Sequence, residues 1–159
     1  RYCFDPDGVV WNDYCEFRQA LKNANLAADA DDFERAFNLW AFASELYRRG
    51  ELLADWRYSA WCQDQRHSTH EQWLDALERW SKVQYQRGEY EAGLAMARRI
   101  LTLDPAVESA HQLIMKCLAR MGRRAEALRQ YEDCARALRE VNKSPSHETQ
   151  QLYRKIRGK

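Results

Sequence analysis

Apolar side chains recur along most of this chain at spacings of three and four, the period of a helix with one buried stripe. From Ala110 they run Leu113, Ile114, Cys117, Leu118 and Met121, and they stop at Gly122, a residue suited to a left-handed helix end. A second stripe follows at once through Ala127, Tyr131, Cys134 and Leu138, while Arg124, Arg129, Glu132, Arg136 and Arg139 fall on the opposite, solvated side. The preceding stretch repeats the scheme. Trp73, Leu77, Trp80 and Gln84 or Tyr85 lead to Gly88, and Tyr90, Leu94, Ala97 and Leu101 form the next stripe. Small residues stand five positions after each glycine, at Gly93 and Ala127, where two helices must approach closely. Asp104 followed by Pro105 reads as a cap and first helical position for the later hairpin.

Gly88 and Gly122 lie 34 positions apart, the period of tetratricopeptide (TPR) helical hairpins. Upstream, Asp31 or Asp32 is expected to begin a helix with Phe33, Ala36, Phe37, Trp40, Ala43 and Tyr47 on its stripe and Gly50 at its end. Residues 12–24 supply its partner through Tyr14, Phe17, Ala20, Leu21 and Ala24, so the pair forms a third, degenerate hairpin. One hairpin cannot cover its own apolar face, and about three stacked units are the minimum for stability. The pattern predicts an all-α, TPR-like right-handed superhelix. Residues 51–66, ELLADWRYSAWCQDQR, are too aromatic for a solvated linker and are expected to fold back on the stack outside the repeat. Ser144 or Ser146 is expected to cap a last helix whose Leu152 and Ile156 close the end of the stack.

Composition narrows the function. Twenty-five basic against twenty-four acidic side chains give a formal charge of +1, which offers no overall field to hold a phosphate backbone and argues against nucleic acid as a direct partner. Cysteines at 3, 15, 62, 117 and 134 form no CxxC pair and fit reduced thiols in a cytoplasm. No apolar run reaches the roughly 18 residues of a membrane helix. A chain that opens on Arg1 rather than methionine is expected to be part of a longer polypeptide.

Reactive chemistry is not legible. There is no nucleophile elbow, glycine-rich phosphate loop, HExxH or paired acid and base, so no enzyme activity and no cofactor is expected. Cys62, His67, His70 and Glu71 carry metal-ligating atoms, but their spacing completes no zinc set. Cys117 and Cys134 lie on facing stripes of one hairpin, where buried thiols act as small hydrophobes and a redox switch is the less favoured reading. Of six tryptophans, Trp56 and Trp61 lie outside the repeat and are candidate interface anchors.

The order of landmarks resembles one family, the bacterial transcriptional activator domain. They are Gly50 to Leu53, Trp61, Arg66, Asp104, Pro105, Glu108, Met115, Gly122, Ala127, Tyr131, Leu138, Pro145 and Glu148 to Leu152, and the likeness spans nearly all of residues 12–157. The opening RYCFDPDGVVWNDYCEF resembles the junction where the last strand of a winged-helix domain enters the helical domain, which divides the chain into residues 1–11 and 12–159. The family usually opens its first helix with Asp; here Trp11, Asn12 and Asp13 occupy that neighbourhood. The resemblance implies a cytoplasmic regulatory and self-associating module, with a homodimer, RNA polymerase or a sensor domain of the same chain as partners. DNA would be reached only through a separate winged-helix domain. TPR stacks bind through the concave face of each unit's first helix, which makes Asp75, Glu78, Arg79, Lys82, Tyr85, Gln112, Lys116 and Arg120 the candidate groove. Asp75 and Glu78 stand where clamps for a peptide's terminal carboxylate carry basic or amide groups, so a mixed-charge protein segment suits this groove better. Two other readings share the fold: a TPR adaptor outside transcription, and a small-molecule sensor with its pocket beside Trp56 to Trp61.

Overall fold

The computed structural model describes residues 3–4, 10–11, 13–48 and 60–158, with side chains over 15–48 and 67–158. Among the described residues, seven helices follow a two-stranded antiparallel ribbon in which Cys3–Phe4 (β1) pairs with Val10–Trp11 (β2), Cys3 opposite Trp11. The chain folds as two compact units, Arg1–Ala76 and Leu77–Lys159.

In the first unit, α1 (Asp13–Asp29) and α2 (Phe33–Arg48) form a hairpin. α1 runs a turn past its expected end because Ala27 and Ala28 extend the buried stripe begun by Phe17, Ala20, Leu21 and Ala24. Asp31, at φ 58, takes the left-handed position that stops α1, and Asp32 caps α2 by accepting a bond from the Arg35 N–H at 3.3 Å. Trp40 and Ala43 are fully buried on α2. The first part of α3 (Ala60–Gln86) contributes Trp73, which is 0% exposed and packs against Tyr47 at 5.5 Å and Phe17 at 6.1 Å between ring centroids.

α3 is 27 residues long, which corrects the expectation of a non-helical segment reaching Arg66. Residues 60–66, including Trp61 and Cys62, belong to the helix backbone; Trp56 and Gly50 to Leu53 lie outside the described residues.

The second unit holds the end of α3, then α4 (Tyr90–Leu103), α5 (Glu108–Arg120), α6 (Arg124–Glu140) and α7 (His147–Arg157). Gly88 at φ 82 and Gly122 at φ 76 close α3 and α5 with the same pattern. The residue after each glycine bonds back five positions, Glu89 N to Gln84 O at 2.9 Å and Arg123 N to Leu118 O at 2.9 Å. Gly93 lets α4 approach α3, since a Cβ there would lie 3.2 Å from the Ser81 carbonyl oxygen, whose hydroxyl donates to the Gly93 carbonyl at 3.0 Å. Leu94, Ala97, Leu113, Ile114, Met115, Cys117, Leu118 and Ala127 form the core. Each large aliphatic among them adds about 1.5–3 kcal/mol by leaving water. On α4 Leu94 and Ala97 are buried as expected, and Ile100 is fully buried beside Leu101, which packs half-buried against the core.

The expected helix start at Pro105 is also corrected. Asp104 accepts a bond from the Ala106 N–H at 2.8 Å, closing a turn, and Val107 at ψ 95 precedes α5, which begins at Glu108. At the far end Ser146 caps α7, its hydroxyl accepting from the Thr149 N–H. Ile156 joins the core, Leu152 packs beside it, and Tyr153 stacks on Tyr131 of α6 at 4.2 Å. Among the described residues no helix is long and apolar enough to cross a membrane.

Candidate functional site

The groove residues divide between the units. Asp75 is exposed in the first; Glu78, Arg79, Lys82, Tyr85, Gln112, Lys116 and Arg120 belong to the second. Within the second unit, helical spacing puts Glu78, Lys82 and Tyr85 along one face of α3, and Gln112, Lys116 and Arg120 along one face of α5. Two contacts draw these helices together. Ser109 of α5 donates to Glu78 Oε2 at 3.0 Å, and the Arg120 guanidinium lies near Tyr85 and 5.9 Å from the Tyr90 ring centroid. Tyr85 first, then Tyr90, favours the charged guanidinium and raises its pKa. Glu78 also pairs with Lys82 on its own helix. Lys116 is exposed between them, and Arg79 is half-buried.

Gln112 is spent on packing the last helix. Its Nε2 donates to Thr149 Oγ1 at 2.8 Å, and that hydroxyl donates in turn to Glu108 Oε1. The Ser146 N–H donates to the same carboxylate oxygen at 2.7 Å. Burial alone would raise the Glu108 pKa, but the Thr149 and Ser146 bonds outweigh it and hold the carboxylate below its ordinary range. This polar clasp fastens α7 to α5. Its residues were visible in the sequence, Glu108 and Glu148 to Leu152 as landmarks and Ser146 as a cap. Their pairing was not, because Glu108 and Thr149 lie 41 positions apart.

His111 escaped notice for the same reason. It is buried at 3%, with Nε2 against the Pro105 carbonyl at 2.9 Å and Nδ1 against the Gln130 amide at 2.6 Å. A neutral ring donating from Nε2 and accepting at Nδ1 satisfies both contacts and braces the turn before α5.

His70 Nδ1 contacts the Tyr47 hydroxyl at 2.8 Å, and His67 pairs with Glu71 at 3.3 Å. Among the described residues no group of three or more His, Cys, Asp or Glu is placed to hold a metal. Cys117 and Cys134 are free, buried thiols. Burial, with the nearby negative charge of Glu91, pushes Cys117 up to about 11; burial and Glu108 push Cys134 to about 12. Neither offers a thiolate near neutral pH. A hollow of about 470 Å³ in the first unit is lined by Asp32, Glu34, Arg35, Asn38 and Leu39, none of them a groove residue named from the sequence.

Residues 12–157 match the model of a family described as the bacterial transcriptional activator domain. No curated protein matches the chain. Among solved structures, the Sgt2 TPR domain from Aspergillus fumigatus superposes with a TM-score of 0.61 at 13% identity, covering 90% of this chain and 78% of that one. YrrB, a TPR protein with an unusual peptide-binding site, matches at 18% identity with a TM-score of 0.37, covering 87% of this chain and 85% of that one. At such identities the likeness to the Sgt2 domain shows a TPR-type fold.

Proposed function

From the premise that the chain belongs to the bacterial transcriptional activator domain family, as the match over residues 12–157 shows, we propose that it is the regulatory and protein-interaction module of a bacterial transcription activator. It acts without catalysis or cofactor in the cytoplasm, and a winged-helix domain attached ahead of it reads DNA. Residues 1–11 then form the end of that domain and residues 12–159 the helical module. The antiparallel ribbon of Cys3–Phe4 and Val10–Trp11, ahead of the first matched residue, supports this division. Its partners are other proteins: a second copy, RNA polymerase or a sensor domain.

The observation that carries the reading is the joined face of α3 and α5. Tyr85 and Arg120 meet there, Lys116 stands exposed, and Gln112 and Glu78 are tied into the scaffold. A rigid aromatic beside an arginine is the composition of interface anchors, and exposed cations at the rim set specificity and on-rate. In full-length protein, Tyr85→Ala with Arg120→Glu is expected to cut reporter activation at least about tenfold while leaving promoter affinity within about twofold, a loss of roughly 1.4 kcal/mol confined to partner contact. Unchanged activation with the variant folded would remove this face from the mechanism. Lost promoter affinity together with activation would point instead to the DNA-reading domain.

A further inference from the structure

The near-neutral total conceals a division. Residues 1–76 hold 8 Lys and Arg against 14 Asp and Glu, and residues 77–159 hold 17 against 10, so the two units carry formal charges of −6 and +7. The expectation of no strong field therefore holds only for the whole chain.

Four of those cations gather at one end of the second unit. α7 finishes with Arg154, Lys155 and Arg157, all exposed. Arg124, exposed at the start of α6, donates to the Arg157 carbonyl and adds a fourth cation to the same end. The negative end of the α7 dipole favours cations in that last turn. It does not account for Arg124, whose charge sits among three of like sign. Neighbouring Arg123 is neutralised by Glu126 at 2.7 Å and Glu91 at 3.5 Å. Among the described residues no carboxylate lies within ion-pair distance of Arg124, Arg154, Lys155 or Arg157. Four exposed cations with no carboxylate beside them among the described residues, three of them arginines, form a surface suited to carboxylates in forked geometry.

We propose that this arginine-rich end docks on the acidic first unit of a second copy of the same chain. The charge balance favours that occupant, since the chain itself pairs a first unit of formal charge −6 with a second of +7. Exposed Asp29, Asp31 and Glu34 lie around the α1–α2 turn of the first unit. Because the contact joins unlike surfaces, a dimer that satisfies both ends of each chain needs two of them related by a two-fold axis. This inference rests on the interaction-module reading and names its partner. It also makes the association a function of ionic strength.

The test is the mass of the chain in light scattering at 50 and 500 mM NaCl, values chosen to span roughly 14 Å to 4 Å of screening. The expected result is a species near twice 18.9 kDa at low salt, with its dissociation constant raised at least about tenfold at high salt. Arg154→Glu with Lys155→Glu and Arg157→Glu is expected to leave a monomer, as is Asp29→Lys with Glu34→Lys. A mixture of the two reversed variants, each checked for helix content, should recover the dimer, because both contacts then again join opposite charges. A monomer at low salt and high concentration overturns the proposal. So does a dimer indifferent to salt and reversals, and so does a wild-type monomer that retards duplex DNA of arbitrary sequence through these arginines. Reporter activity lost in the groove variant while the dimer forms normally keeps the two readings separable.

Discussion

Truncating Glu108 should release the last helix. Its carboxylate accepts from the Ser146 N–H and the Thr149 hydroxyl, and Thr149 is 0% exposed. Hydrogen bonds to a charged group contribute about 1.5–3 kcal/mol, and a buried donor left unmatched costs about 1–3 kcal/mol. In Glu108→Ala the Thr149 hydroxyl keeps Gln112 as a donor and can turn to Ser146 Oγ, 3.2 Å away, so part of the loss is recovered. The net cost is about 2–3 kcal/mol, or about 4–12 °C in Tm for a chain of this length. Glu108→Gln keeps the shape and forfeits only the charge, which halves the loss to about 1–1.5 kcal/mol. The pH dependence separates the two effects. Because the folded pKa lies below the ordinary 4.5, the charge contributes fully above that value and its contribution is lost as pH falls through the folded one. The gap between parent and Glu108→Gln should therefore be widest near neutrality and close under acid. Circular-dichroism melts across pH, with amide exchange of α7 as the local readout, measure it. A Glu108→Ala protein melting within about 1 °C of the parent, or a gap constant with pH, would show that water satisfies Ser146 and Thr149 without the carboxylate.

Gly88→Ala and Gly122→Ala meet nothing within 4 Å, so each should cost about 1 kcal/mol from the left-handed backbone alone, read as a lower urea midpoint at unchanged slope. Gly93→Val faces the Ser81 carbonyl and should cost about 1–3 kcal/mol by prising α4 from α3; an unchanged midpoint would deny the close approach. Ile114→Ala removes a fully buried side chain at the centre of the second unit and should cost about 2–5 kcal/mol in the same assay, a loss under 1 kcal/mol arguing against tight packing there. Iodoacetamide at pH 8 should label exposed Cys15 in native protein and reach Cys117 and Cys134 only in denaturant; rapid native labelling of either would contradict their burial.

Periodicity was legible where apolar residues and punctuation agreed. Gly88, Gly122, Ala127 and the stripe from Ala110 to Leu118 located the second and third hairpins because each choice there satisfies helix geometry and packing together. The beginning of α3 was not legible, since QDQRHST over residues 63–69 shows no apolar stripe to mark a helix. Asp104–Pro105 has the letters of a helix start, but the Asp104 carboxylate is used by Ala106 and delays the helix to Glu108. The Tyr85–Arg120 and Glu108–Thr149 contacts join residues far apart in sequence, and spacing along one helix cannot reveal what a neighbouring helix presents. Summing charge over the whole chain erased its most informative feature, because opposite signs gather in different units.

Among the described residues four junctions turn on a left-handed residue: Gly88 and Gly122, but also Asp31 at φ 58 and Asn142 at φ 57. The residue following each bonds back five positions, including Asp32 N to Ala27 O and Lys143 N to Leu138 O. Glycine enters such a bend freely, Asp and Asn at modest strain, and bulkier residues badly. What selection must preserve is therefore a dihedral angle rather than a letter. Hairpins can therefore differ in letter at these junctions while the bend of the backbone stays the same.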